Sequence, residues 1–165
     1  MKNTKSLIFL TASFLLAINS SAQQNLHHYV DPMIGSEGVG RVFIGPSCPY
    51  GMVKPSPDCT SSPNSGWLPV PKEVTGFSQV HVSGTGGGPK YGNILIMPFS
   101  GALDKMDQTS FRAEENVKLG YYETVFKENN IKTEITTGEK VSFYRITYPK
   151  NSSKELKIDP GFFLG

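Results

Sequence analysis

Apolar and polar residues alternate with a period of two through the second half of the chain, and that period predicts strands. In the run from Ile131 to Thr137, Ile131, Thr133 and Ile135 fall on one side, with Lys132, Glu134 and Thr136 on the other. Gly120 to Glu128, Lys140 to Tyr148 and Glu155 to Asp159 read as further strands. Asn129-Asn130 and Gly138-Glu139 stand where hairpin turns belong, so the runs are expected to form an antiparallel meander. Between Lys140 and Tyr148, Val141 and Phe143 share a face with Arg145, and Tyr144, Ile146 and Tyr148 share the opposite one. Apolar groups on both sides predict a strand lying between two layers.

The first half is organised around Gly76 to Pro98. A strand from Phe77 to Val82 would turn Val80 and Val82 toward a core and leave Phe77, Gln79 and His81 on a face free for a ligand. Ile94 to Met97 reads as a strand covered on both faces and ended by Pro98. Gly84, Gly86, Gly87, Gly88 and Gly92 between the two permit backbone angles that side chains forbid, so a partner can approach the main chain closely. Leu103 to Asn116 is expected to cross irregularly, with one helical turn. The pattern as a whole predicts an all-β protein, an antiparallel β-sandwich.

Composition narrows this picture. A chain of 165 residues with 38% hydrophobic and 18% charged residues suits one ordinary domain and is not compositionally disordered. A formal charge of +2, with no arginine cluster or basic stripe, argues against a nucleic-acid partner. At the N-terminus, Lys2 and Lys5 precede an apolar stretch from Leu7 to Ile18, and Ser20-Ser21-Ala22 has the small residues that signal peptidase reads. Residues 1–22 are therefore expected to be a signal peptide, with the mature domain over 23–165. The apolar stretch is shorter than the roughly 20 residues of a membrane span, so no span is expected after cleavage. The expected destination is the periplasm, the cell surface or the medium. Export permits a disulfide between Cys48 and Cys59. Two separate thiols are the equal alternative.

Chemical motifs are few. The glycines of Gly35-Ser-Glu-Gly38-Val-Gly40 are spaced wrongly for a dinucleotide loop, and no helical period follows them. Pro89 before Lys90 and Tyr91 after it exclude a phosphate loop. Adjacent His27 and His28 point apart on a strand and cannot chelate one metal together; two cysteines without paired histidines make zinc improbable. No two carboxylates are framed as an acid and base pair, and Ser83 beside His81 is only a same-strand neighbour, so no catalytic residue is assigned.

Several ordered blocks carry a more specific signal. Tyr29-Val-Asp-Pro-Met-Ile-Gly35, Gly45-Pro46, Pro49-Tyr-Gly-Met-Val-Lys-Pro-Ser-Pro-Asp58, Gly76-Phe-Ser78, His81-Val-Ser-Gly-Thr-Gly86 and Tyr91-Gly-Asn-Ile-Leu-Ile-Met-Pro98 resemble, in this order, the N-terminal domain of glycoside hydrolase family 92. Gly120-Tyr-Tyr122 and the Ile131 to Thr136 segment look like the same domain continuing. The resemblance implies a galactose-mutarotase-like supersandwich, here incomplete, from a secreted, calcium-dependent, exo-acting α-mannosidase. In that family the sandwich lies against a large (α/α)6 barrel. The resemblance implies that the barrel, in cis, supplies the catalytic acid, the base and most of the calcium environment for an inverting displacement.

The resemblance further implies that the sandwich lends loops to a pocket for mannose-containing glycans. Mapped onto this chain, those loops carry Trp67, His81, Ser83, Gly84 and Thr85. Trp67, the only tryptophan, reads either as a plate beneath a sugar ring or as a plug in the core or between domains. His81 reads equally as a substrate contact or a structural hydrogen-bonding group. Gly87-Gly-Pro-Lys90, and Asn93 after Tyr91-Gly92, stand where many members have other residues, which leaves the linkage preference open. On these terms the chain is the non-catalytic part of an α-mannosidase. The alternatives are a stand-alone carbohydrate-binding module, or a structural protein of the cell envelope.

Overall fold

Two layers of antiparallel strands enclose one aromatic core in the computed structural model of the chain, which describes residues 26–38, 41–61, 63–83 and 91–164. The expected signal peptide lies outside these residues. Met1–Val30 and Asp31–Gly165 are separate units, and the described part of the first is a single 3-10 turn, Leu26–Tyr29. Within the second unit the strands are β1 (Ser56–Cys59), β2 (Glu73–Ser78), β3 (Leu95–Phe99), β4 (Ser110–Lys118), β5 (Tyr121–Phe126), β6 (Lys132–Thr137), β7 (Ser142–Thr147) and β8 (Glu155–Asp159).

β5, β6 and β7 form the meander that the alternation predicts, in register Tyr122 to Ile135 to Tyr144. The alternating faces behave as expected: Ile131, Thr133 and Ile135 are buried on one side of β6. Asn130 makes its turn with φ 52, and the Asn129 side chain accepts the Ile131 N–H at 3.0 Å. β8 leaves the meander and pairs along its whole length with β3, from Leu95–Asp159 to Phe99–Glu155. The other layer is assembled around β2. β1 pairs with it from Ser56–Ser78 to Cys59–Val74. β4 reaches it at Glu73 and Val74, and β3 at Phe77.

β4 links the layers. Its first residues pair with β2, and the rest, from Arg112 to Lys118, pairs with β5. The register shifts between Arg112 and Glu114, the kind of bulge that lets one strand serve two sheets. Phe77 of β2 meets Tyr122 and Phe126 of β5 at ring-centroid distances of 6.3 and 5.9 Å, and Tyr144 of β7 at 6.4 Å. These are the separations at which offset and edge-on aromatic pairs attract.

Several expectations require correction. The region from Leu103 to Asn116 holds a 3-10 turn, Leu103–Lys105, but then enters the nine-residue strand β4. Its sequence, Ser-Phe-Arg-Ala-Glu-Glu-Asn-Val-Lys, hides the strand because the inward position is filled by a charge, Arg112. β7 is the end strand of the sheet and packs on one face only: Tyr144, Ile146 and Tyr148 meet the core, while Val141 and Phe143 are exposed. Pro98 lies inside β3 instead of ending it. Its missing N–H is tolerated because β2 contacts β3 only at Phe77–Ile96. β2 stops at Ser78 and is covered on both faces, with Val74, Phe77 and Ser78 all buried; beyond it His81 is buried, whereas Val80 and Val82, expected to face the core, are only half-buried.

On the outer face of β6, Arg145 donates to both oxygens of Glu134, and the Tyr121 hydroxyl lies 2.7 Å from Glu134 Oε1. The Arg145 hydrogen bonds hold the Glu134 carboxyl at about 2, below its ordinary 4.5, with desolvation opposing and Tyr121 assisting. A depressed carboxyl contributes stability that is complete above its unfolded value and is lost as pH falls through the folded one. Acid unfolding of the chain is therefore expected to lose this contribution between pH 4.5 and about 2. Arg145→Met should flatten that limb in a titration followed by circular dichroism. Phe77→Ala, which empties the centre of the aromatic cluster, should cost about 3–5 kcal/mol in denaturant melts.

Candidate functional site

Arg112 enters the interior from β4 with no exposed side-chain surface, so each of its donors needs a partner there. Nη1 bonds Glu115 Oε1 at 2.7 Å, and Nε bonds the Lys72 carbonyl at 3.2 Å. Nη2 reaches the carbonyls of Leu68 and Pro71, and lies 3.7 Å from Cys59 Sγ. The guanidinium also sits over the Trp67 ring, 5.0 Å from its centroid, within the range of a cation–π attraction. The loop from Trp67 to Lys72 is thus wrapped around one buried cation. Burial disfavours that charge, but Tyr122 and Glu115 outweigh it and raise the Arg112 pKa above its ordinary value.

Glu115 completes the node. Its Oε1 accepts from Trp67 Nε1 at 2.8 Å and from the Tyr122 hydroxyl at 2.6 Å, besides Arg112. Burial, followed by the Glu115 charge, pushes the Tyr122 hydroxyl well above its ordinary range, so it remains a donor. Beside this node lies an open cleft of about 590 Å3. The turn from Asp31 to Glu37 forms one wall, and Trp67, Pro69, Lys72 and Glu115 form the other.

A second buried node underlies the same loop. His81 is 1% exposed; its Nδ1 lies 2.8 Å from the Lys54 carbonyl, which can only accept, so Nδ1 carries a proton. Nε2 lies 2.7 Å from Asp58 Oδ1, and Asp58 also takes the Ser78 N–H at 2.6 Å and the Ser78 hydroxyl at 2.9 Å. Although Ser, His and Asp meet here, they do not form a nucleophile relay. Such a relay needs the acid on one ring nitrogen and the serine on the other, whereas here both crowd Nε2.

Gly66 joins the second node to the loop that carries Trp67. A Cβ on this residue would lie 2.6 Å from His81 Nε2 and 2.9 Å from the Pro57 carbonyl, and its φ of +75 independently favours glycine. His81 is therefore a positioning residue: its ring is the floor on which the loop carrying Trp67 rests. The Val82 N–H to Asn64 carbonyl bond, at 3.1 Å, fastens the same loop from the other side.

Trp67 borders the cleft but is only 4% exposed, with Arg112 over its ring, so it is a wall and not an open plate. His81 is buried, which overturns its expected place on a ligand-facing surface; the hydrogen bonds of its ring lie with Lys54, Asp58 and Ser78. Ser83 is exposed, and its Oγ accepts the Phe43 N–H at 3.1 Å. Gly84 and Thr85 lie outside the described residues. Cys48 and Cys59 are free thiols, so the disulfide alternative is not the one the structure shows. Cys59 instead accepts the Leu68 N–H at 3.1 Å, and burial raises its pKa against the opposing Arg112 charge. Neither Arg112 nor Glu115 is legible as a site residue in the sequence, because charges in a strand without apolar alternation read as surface.

A calcium ion takes six to eight oxygen ligands. Among the described residues no group of three or more His, Cys, Asp or Glu side chains assembles. Asp58 and the inner oxygen of Glu115 are already taken by protein donors, so these residues do not fit a calcium site.

Residues 29–165 match the family model described as the glycosyl hydrolase family 92 N-terminal domain. An uncharacterized secreted glycosidase of Arthroderma benhamiae is 31% identical over 157 residues, which are 88% of this chain and 20% of that protein. The GH92 α-mannosidase BT3965 from Bacteroides thetaiotaomicron, solved with mannoimidazole, superposes with a TM-score of 0.76 at 28% identity, covering 86% of this chain and 20% of that one. The GH92 family glycosyl hydrolase ccman5 shares the fold, with a TM-score of 0.73 at 19% identity. The chain spans about a fifth of the length of these relatives.

Asp58→Asn, which puts an amide donor where the Ser78 N–H, the Ser78 hydroxyl and His81 need acceptors, should destabilise the chain by about 1–3 kcal/mol, the usual cost of a buried group left unsatisfied. Gly66→Ala should be destabilising as well and should also red-shift the emission of the single tryptophan, as the loop lifts and Trp67 meets water. Unchanged emission in a folded Gly66→Ala protein would show that His81 does not set the loop.

Proposed function

Because the chain belongs to glycosyl hydrolase family 92, whose N-terminal domain it carries over residues 29–165, we propose that it forms the sandwich side of the glycan pocket of an exported α-mannosidase. The observation that carries this reading is the 590 Å3 cleft beside Trp67, within the range of volumes typical of small-molecule sites. Its walls combine an indole, a prolyl ring, carboxylates and an ammonium group, the mixture of apolar and hydrogen-bonding surface that a sugar presents in return.

Two buried nodes make that wall rigid. Arg112 and Glu115 secure the loop from behind, and His81 secures it from below through Gly66. A rigid wall lowers the ordering cost of binding. Hydrolysis is a different matter. An inverting displacement needs two carboxyl groups about 6.5–9.5 Å apart across the bond, one an acid and one a base holding water. Glu115 is held by three donors through Oε1, and Asp58 is sealed under His81. Neither is placed to move a proton onto a glycosidic oxygen; on this reading the chain orients the sugar, and a barrel domain in cis, which also holds the calcium, breaks the bond. The name of the Arthroderma benhamiae relative, the α-mannosidase neighbours and the basic and apolar N-terminal segment support export and a mannose-containing substrate.

Incubation of the purified chain with α-linked mannobioses and calcium should release no mannose above a protein-free blank. The same chain should give a saturable calorimetric signal with methyl α-mannoside in the millimolar range. Calcium-dependent release of mannose by the chain alone would overturn the division of labour, and an absence of heat would remove the sugar-binding role.

A further inference from the structure

Glu115 uses its two oxygens differently. Oε1 accepts three hydrogen bonds, from Trp67, Arg112 and Tyr122, all of them buried residues. Oε2 accepts none from the described residues. The Glu115 side chain nevertheless retains 19% of its exposure and borders the cleft. With Oε1 clamped by three inward donors the carboxylate is already ordered, so a ligand that bonds Oε2 meets a small ordering cost.

Its neighbours in the cleft sharpen the consequence. Arg112 cannot serve a ligand, since its side chain is fully covered and its donors are taken by Glu115 and by backbone carbonyls. The Arg112 charge offsets that of Glu115, so the balance along the walls is set by the carboxylates of Asp31 and Glu37 against the ammonium of Lys72. Such a wall accepts hydroxyl protons and repels anions.

We propose that Glu115 Oε2 is the specificity-determining acceptor of the cleft: it takes a hydroxyl proton of an uncharged sugar and excludes phosphorylated or sulfated ones. This rests on the proposal that the cleft holds a glycan, and it assigns the selection to one atom. Glu115 is not a catalytic residue here, since it holds the sugar without transferring a proton. A hydrogen bond to a charged acceptor is strong enough to produce at least a tenfold difference in affinity when it is lost.

The single tryptophan, bonded to Glu115, reports on this site directly. Trp67 emission of the purified chain is titrated with methyl α-mannoside and with mannose 6-phosphate at low salt. The wild type should bind the neutral sugar at least tenfold more tightly. Glu115→Gln leaves a carbonyl for the three inward donors, turns an amide toward the cleft and strips Arg112 of its counter-charge. It should therefore weaken the mannoside by about tenfold and bring the two affinities together. A thermal melt of the variant checks that the loop around Arg112 stays folded. Equal affinities in the wild type overturn the proposal whatever the variant does. An unchanged preference in Glu115→Gln also overturns it, while leaving the sugar-binding role standing. If the wild type responds to neither sugar, the sugar-binding role fails and the assignment of Glu115 falls with it.

Discussion

A guanidinium without any contact with water is the constraint on which the rest of this structure depends. Arg112 brings five N–H donors into the interior, and a charge in such a place is tolerated only when it is neutralised and its donors are satisfied. The chain meets the first requirement with Glu115 on the same strand. It meets the second by folding the Leu68 to Lys72 stretch so that its carbonyls converge on the cation. The loop's shape follows from that demand. Residues that would otherwise be free to wander over the surface are fixed because moving them would strand a buried charge.

The loop beneath is governed by similar logic at smaller scale. His81 and Asp58 are both sealed from solvent, and each satisfies the other. The imidazole then presents an edge so close to Gly66 that no side chain fits there. Two buried polar nodes, one cationic and one centred on an imidazole, therefore hold the loop that carries Trp67. Buried polar networks of this kind rigidify what they touch when every member is satisfied. The cleft inherits that rigidity, which is the physical link between the fold of this domain and its use as a wall for a sugar.

How much of this was legible beforehand varies along the chain. Ile131, Thr133 and Ile135 announced their buried face through simple alternation, and β5, β6, β7 and β8 lie within the runs from which they were expected. β4 was hidden, because alternation detects apolar residues turned inward and here an arginine takes that position. The burial of His81 is illegible for a related reason. Polar residue types suggest solvent, but a histidine between a carbonyl and a carboxylate is as well satisfied inside as out. Phe143 went astray in the other direction: its apolar face pointed to a second covering layer, and β7 proved to be an end strand.

Strand content, hairpin positions and family membership belong to the sequence, since they depend on local periodicity, turn chemistry and ordered blocks of residues that survive any change of partner. The pairing of β8 with β3, the burial of Arg112 and the meeting of Gly66 with His81 belong to the tertiary structure alone. Each joins residues distant along the chain, and each depends on which charge finds which partner once water has been expelled. A linear pattern records that Arg112 and Glu115 are charged. Only the assembled layers decide that one of them is buried whole and that the other keeps a single oxygen at the rim of a cleft.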